Sequence, residues 1–317
     1  MRVLVTGSGG FIGTALVARL EAEGHTVHRL VRSDPGPGSA LLDPARQTID
    51  ASRLPGGTLD GLDAVFNLAG EPITPARWGA AKRERIRASR VATTDVLSRA
   101  LAAAHVPPPV LVSSSAIGYY GDRDDEILVE GSRPGTGFLA EVCAAWERAT
   151  LPASEAGIRV VRVRTGLVLG SAGGLLAKLA PLFRMGLGGR IGSGAQWMSW
   201  ISLEDEVGAL LHAAATDGLE GALNLTGPAP VRNREFTSTL AEVIGRPAFV
   251  NVPEPAIRLA MGRETASQVV LASQRVWPER LAATGYAFAR PTLDAALFAA
   301  LGAATAWRTA AGHPPAR

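Results

Sequence analysis

The first thirteen residues constrain this chain more than any later stretch. Arg2–Thr6 reads as a short apolar strand, and Gly7-Ser8-Gly9-Gly10-Phe11-Ile12-Gly13 follows at once. Apolar residues at 11, 12, 15, 16 and 20 then recur at helical spacing, and Gly24 ends the helix expected over 11–23. A strand, a glycine loop and a helix in this order form a dinucleotide fingerprint. Gly7 permits the tight turn, Gly10 lets backbone approach a diphosphate, and Gly13 lets helix and strand pack closely. Phosphates then rest on the helix N-terminus, where unpaired N–H groups favour negative charge. The expected contacts are Thr6, Gly7, Gly10, Phe11, Ile12 and Gly13.

The rest of the first half repeats the alternation. Strands are expected at 26–31, 48–49, 64–68, 110–113 and 160–164, and helices at 82–104 and 137–149, with a loop over 34–39. Alternating strands and helices specify a parallel, doubly wound sheet of Rossmann type in the α/β class. After residue 170 the pattern changes to a glycine-rich apolar stretch and then to short helices and loops. The expected division is a nucleotide-binding domain over 1–170, rejoined by segments at about 195–226. A smaller C-terminal substrate lobe takes 171–194 and 227–302, and 303–317 is a frayed tail.

Composition excludes several function classes. With 47% hydrophobic and 19% charged residues the chain buries a core and is not disordered. A net charge of +3 is too mild to imply nucleic acid. The single cysteine, Cys143, rules out an internal disulfide and a cysteine zinc cluster, and fits a reducing compartment. No run approaches the ~18–20 apolar residues of a membrane helix. The opening apolar tract is too short for a secretion signal. His25, His28, His105, His212 and His313 show no ligand spacing, so no metal is expected. The expectation is a cytoplasmic protein acting on a small molecule, without membrane or nucleic-acid partners.

An NAD site would carry an acid at the end of the second strand, on the ribose hydroxyls. Here Arg32 and Ser33 stand there. A guanidinium pairs a 2′-phosphate, which favours NADP(H) over NAD(H); the alternative is a solvated strand-end charge. Asp50, after the third strand, is either an acceptor for the adenine amino group or a plain cap.

Further motifs follow in order: Asn67-Leu68-Ala69-Gly70 after the fourth strand and Ser113-Ser114-Ser115-Ala116 after the fifth. With the glycine loop, these resemble the extended short-chain dehydrogenase/reductase superfamily. GEPI at 70–73, Arg77-Trp78, GYYGD at 118–122, RTGLVL at 164–169, GLGGRIGSG at 186–194, Trp200-Ile201 and PVRNREF at 230–236 resemble one atypical subgroup. Its members are called epimerase family proteins, or sugar-nucleotide epimerase-like. The resemblance covers almost the whole chain. It implies that Leu68, Ala69, Gly70, Ser113, Thr165 and Gly166 also contact the cofactor. It also implies a substrate lobe, and pairing of two copies through the helices at 82–104 and 137–149. The residues themselves leave the oligomeric state open.

In the parent superfamily a Tyr-x-x-x-Lys pair on the helix after the serine strand moves the proton. The corresponding positions here hold Phe138 and Val142, which carry neither proton nor charge. The only tyrosines are Tyr119, Tyr120 and Tyr286, and none precedes a lysine by four. Ser115 and Tyr120 become the catalytic candidates, although a tyrosine in the position of Tyr120 is often structural. Glu71, Trp78, Tyr119 and Trp200 become substrate-binding candidates. Trp78 stacks on a substrate ring or staples the next helix. Two functions remain: an NADP(H)-dependent oxidoreductase or epimerase-like enzyme on a small, sugar-like substrate, or a cofactor-binding sensor without turnover.

Overall fold

Runs such as Val3-Leu4-Val5 and Val65-Phe66 suit strands covered on both faces, which is the condition of a parallel sheet wrapped by helices. The computed structural model describes residues 1–73 and 77–302; the expected tail at 303–317 lies outside them. Six strands lead the chain: β1 (Arg2–Thr6), β2 (Thr26–Val31), β3 (Ser39–Asp43), β4 (Thr48–Asp50), β5 (Ala64–Asn67) and β6 (Val110–Ala116). They join Arg159–Thr165 and Gly221–Leu225 in one eight-stranded sheet. Its order is Gly221–Leu225, Arg159–Thr165, β6, β5, β1, β2, β3, β4. The pairs β1/β2, β1/β5, β2/β3 and β5/β6 are parallel. Helices α1 (Phe11–Ala22), α2 (Ala80–Ala102) and α3 (Phe138–Arg148) occupy the connections. This is a Rossmann-type α/β fold.

Two expectations at the sheet edge need correction. The loop read over 34–39 stops one residue early, because Ser39 opens β3 directly after Gly38, whose φ is 71°. The strand expected at 48–49 is β4, and it runs antiparallel to β3 instead of extending the parallel set. A short reversal joins them: the Asp43 carboxylate accepts from the N–H groups of Ala45 and Arg46, and Gln47 takes a left-handed φ of 55°.

The strand order reverses between β1 and β5, so the crevice outside their carboxyl ends is the ligand position of such sheets. A buried polar hub ties those ends together. The Thr6 hydroxyl donates to Asn67 Oδ1 at 2.8 Å and accepts from the N–H groups of Leu68 (2.9 Å) and Ala69 (3.0 Å). Asn67 Nδ2 donates to Thr94 on α2 (2.7 Å) and Ser113 on β6 (3.0 Å). Trp146 of α3 donates to the same Thr94 hydroxyl at 2.9 Å. Around this hub the apolar side chains Leu4, Leu30, Val65, Leu97, Leu101 and Leu111 pack in one cluster.

The chain divides into two compact units. The first comprises Met1–Tyr119, Thr136–Arg164 and Val207–Leu223; the second comprises Tyr120–Gly135, Thr165–Glu206 and the chain from Asn224 onward. The second unit has its own core, in which Leu169, Trp200, Phe236, Leu240, Leu297 and Phe298 meet. Its helix Asn233–Ile244 starts where the Glu235 carboxylate accepts from the Arg232 N–H, and ends at Gly245 in the left-handed conformation. Among the described residues no helix is long and apolar enough to cross a membrane, and no three potential metal ligands cluster.

Replacing Asn67 by alanine strands buried partners on three elements. Asn67→Ala is expected to cost about 1–3 kcal/mol of stability, read as a lowered urea midpoint.

Candidate cofactor and active site

The glycine loop has the shape its sequence requires. Gly7 adopts φ +65°, and a Cβ there would meet the Leu68 carbonyl at 2.8 Å. A Cβ on Gly13 would sit 2.1 Å from the Gly7 carbonyl oxygen, so helix and loop touch backbone to backbone. Gly9 faces open space, with nothing within 4 Å of such a Cβ. The loop closes through Gly10 N–H to the Gly7 carbonyl at 2.9 Å. The first helix begins at Gly10 with no side-chain cap and no acid in its first turn. An uncapped helix N-terminus behind a bare glycine turn is a donor set suited to phosphate. A dinucleotide fits the residues present at Gly7, Gly10, Phe11, Ile12 and Gly13. Thr6 is 1% exposed and serves the hub, so its role is to hold the loop.

Arg32 and Ser33 are exposed just past β2, and β2 pairs with β1 so that Leu30 lies beside Thr6. Among the described residues Arg32 has no carboxylate partner. Asp50 caps the Ser52 N–H at 2.9 Å, and the hydrogen bonds from Ser52 hold its carboxyl below the usual range. After β5 the N–H groups of Leu68 and Ala69 are held by Thr6, and Gly70 follows them. Ser113 is fully buried and accepts from Asn67, so its hydroxyl belongs to the hub and not to a cofactor.

The substitutes for the missing tyrosine and lysine are apolar throughout. Phe138 and Val142, on α3, pack with Ile86 of α2. Trp78 meets Phe138 edge-on, with ring centroids 5.3 Å apart, and its indole N–H donates to the Ile73 carbonyl. This supports the stapling alternative for Trp78. Glu71 binds Lys82 at 2.6 Å and Arg85 at 3.2 Å, chiefly through the Lys82 hydrogen bond that lowers its pKa. The basic stretch of α2 is therefore partly neutralised by an acid from the segment before it. Cys143 is buried, which pushes its thiol up to about 12 and leaves it inert.

Three other candidates are placed against their expected roles. Trp200 is 1% exposed in the core of the second unit, its indole bonded to the Ala229 carbonyl, so it lines no substrate pocket. Tyr120 is completely buried, with its hydroxyl 2.7 Å from Asn224 Oδ1 and 3.1 Å from the Val129 carbonyl. Its hydroxyl braces one strand end, the structural alternative for this position. Ser115 is also buried and turns inward, its hydroxyl donating to Glu147 Oε1 at 2.8 Å.

That contact opens a constellation that spacing did not reveal. Glu147 takes Arg164 in a two-pronged ion pair, with Nε to Oε1 at 2.8 Å and a terminal nitrogen to Oε2 at 2.9 Å. Both side chains are buried. The Arg164 guanidinium lies 3.5 Å from the centroid of the Tyr119 ring. Ser115, Glu147 and Arg164 thus form a rigid arm under Tyr119, which is only half-buried. All four residues belong to the first unit, and Tyr119 sits in the short turn Ile117–Tyr120 that leaves the carboxyl end of β6.

In the second unit Gly166 donates its N–H to the Leu225 carbonyl, and a Cβ on it would meet the Ser199 carbonyl oxygen at 2.6 Å. Its N–H is therefore committed to the strand. The Thr165 hydroxyl donates to Glu206 Oε1 at 2.8 Å, while Glu206 Oε2 is buried without a partner. Burial pushes the Glu206 carboxyl up to about 8, opposed only by Thr165. The raised value makes the protonated acid the favoured folded form. Its stabilisation is complete below the unfolded value near 4.5 and is lost as pH rises through about 8. Glu206→Gln removes that titration. Its urea midpoint is expected to gain on the parent protein steadily between about pH 5 and about pH 9.

These features agree with comparisons to known proteins. Residues 3–225 match the NAD dependent epimerase/dehydratase family, and residues 252–300 match a domain of unknown function, DUF1731. An epimerase family protein of Mycobacterium bovis is 46% identical, over 93% of this chain and 96% of its own length. The crystal structure of human epimerase family protein SDR39U1 with NADPH superposes with a TM-score of 0.87 at 36% identity, covering 95% of this chain and 99% of that one. A nucleoside-diphosphate sugar epimerase from Corynebacterium glutamicum gives a TM-score of 0.78 at 38% identity, over 95% of this chain and 58% of the other. Strand order, glycine cradle and sequence agree: the chain belongs to the NAD dependent epimerase/dehydratase family.

Proposed function

We propose that this protein is an NADP(H)-dependent oxidoreductase acting on a small carbonyl- or hydroxyl-bearing molecule, sugar-like in character. The observation that carries the reading is the Tyr119 ring, backed by the Ser115–Glu147–Arg164 arm at the same edge of the sheet as the glycine cradle. When bound, the nicotinamide supplies or accepts the hydride. The chain's own contribution is positional and protonic. Gly7, Gly10, Phe11, Ile12 and Gly13 would hold the diphosphate, and Arg32 with Ser33 would meet the 2′-phosphate. Tyr119 would give its proton to the substrate oxygen during reduction and take one back during oxidation. Arg164 keeps the ring at one angle, because the Glu147 carboxylate fixes the guanidinium at two points. The NADPH of the human relative supports the choice of cofactor. A cytoplasmic setting is part of this reading, on the strength of the single buried thiol.

A second reading is cofactor binding without turnover. Phe138 and Val142 favour it, because the usual proton-moving positions are apolar and buried.

Fluorescence titration with NADPH and NADH tests the cofactor. NADPH is expected to bind more tightly. Arg32→Ala is expected to weaken NADPH by about 10- to 100-fold and to leave NADH within about twofold. NADPH consumption against a panel of aldehydes, ketones and sugars tests the chemistry. Tyr119→Phe is expected to lower kcat by about 100-fold or more at unchanged NADPH affinity. Tyr120→Phe, whose hydroxyl is turned inward onto Asn224 and Val129, keeps kcat per folded molecule. Tight NADPH binding with no turnover across the panel supports the second reading.

A further inference from the structure

The second unit carries a cleft outside the sheet and its glycine loop. It has a volume of about 690 Å³, within the range of ~300–1,000 Å³ that small-molecule sites occupy. Three arginines line it, one from a strand and two from the opposite ends of one helix. Arg190 stands on strand Gly189–Ile191, beside Asn251 of the parallel strand Val250–Val252. Arg234 belongs to the first turn of helix Asn233–Ile244, and Arg246 follows the Gly245 that ends the same helix. Their backbones are fixed: Arg234 N–H donates to the Gly194 carbonyl and Arg246 N–H to the Ala241 carbonyl. Arg190 and Arg234 thus stand in secondary structure, and Arg246 opens the segment 246–249 with its N–H tied back to the helix end.

In the same unit Arg123, Arg232, Arg258 and Arg290 each hold a carboxylate. Among the described residues Arg190, Arg234 and Arg246 hold none, and Glu242 is the one acid lining the cleft. Like charges gathered without partners repel one another, and a bound anion relieves this. Guanidiniums arriving from several directions suit a group with several acceptor oxygens, which is the geometry of phosphate. On the rim Phe249 is 89% exposed, an unusual setting for an aromatic side chain. A ring there offers a face for an apolar or planar body next to the anion.

We propose that this cleft is a second ligand site, separate from the cofactor loop, that binds a small organic phosphate. The phosphoryl group lies among Arg190, Arg234 and Arg246, and the organic portion lies against Phe249.

Calorimetry on the full chain saturated with NADPH tests this, because the phosphate positions of the cofactor loop are then filled. The probes are inorganic phosphate and phenyl phosphate. One equivalent of each is expected to bind, with phenyl phosphate tighter by about threefold or more. The combined variant R190Q/R234Q/R246Q is expected to weaken both by about tenfold or more. Its melting temperature and NADPH affinity are expected to stay unchanged. Phe249→Ala is expected to abolish the preference for phenyl phosphate and to leave inorganic phosphate alone. No heat from either probe at up to about 10 mM overturns the proposal. So does binding that the triple variant leaves intact. Tight capture of single-stranded RNA without binding of phenyl phosphate overturns it in favour of a nucleic-acid surface.

Discussion

One hydroxyl and one carboxamide, Thr6 and Asn67, set the geometry on which the cofactor loop depends. They join β1 and β5 where the strand order reverses, and every glycine argument presumes that junction. Gly7 can lie against the Leu68 carbonyl only because the Thr6 hydroxyl draws the N–H groups of Leu68 and Ala69 toward β1. Gly13 can then approach Gly7, and the helix N-terminus faces open space beside Gly9. The hub also reaches α2 and α3 through Thr94 and Trp146, so the loop is braced from the helical layer as well as from the sheet. Each member is satisfied, which is the condition under which a buried polar network rigidifies a core instead of weakening it.

The loss of the superfamily's tyrosine and lysine is a coordinated repacking. Phe138 and Val142 point into the same apolar cluster as Ile86, with Trp78 closing one side. On its other side Phe138 meets charge, with the Arg83 guanidinium 4.7 Å from the centroid of its ring. Polar chemistry is instead concentrated at the end of β6, where Ser115 faces inward to Glu147 and Tyr119 lies over Arg164. On the proposed function the proton-bearing group is Tyr119 in a strand-end turn, and its cationic neighbour Arg164 comes from the strand Arg159–Thr165.

The parts of this arrangement visible in sequence were those set by local spacing. The glycine loop, the strand Thr26–Val31 and the substitutions at 138 and 142 all depend on residues close together in the chain. The edge strand Ser39–Asp43 was hidden because the preceding Pro-Gly-Pro-Gly run reads as a turn and the strand is short. Trp200 and Tyr120 looked like site residues because aromatic side chains near glycine motifs suit both roles; only their complete burial assigns them to packing. The arm under Tyr119 could not be read at all. Ser115 and Glu147 are 32 positions apart and Glu147 and Arg164 are 17 apart, and neither separation matches a helical or strand repeat. A Glu in the last turns of a helix and an Arg in a strand are ordinary residues until the fold brings them together.

That buried pair is the hardest feature to explain as stability alone. Removing a carboxylate and a guanidinium from water carries a desolvation cost that their mutual attraction only roughly offsets, and apolar residues of similar volume often do as well. The same chain has made that apolar choice at Phe138 and Val142, a few turns of helix away from Glu147. Retaining a buried ion pair on one part of α3 while Phe138 and Val142 join an apolar cluster on another points to a role that hydrophobic packing cannot fill. Direction is such a role. A guanidinium gripped at both carboxylate oxygens is held in one plane, and the Tyr119 ring centroid lies 3.5 Å from it. A leucine or methionine in place of Arg164 would fill the space and leave the ring free to turn. The buried charges thus back the Tyr119 ring at the strand end, where the proposed function needs it.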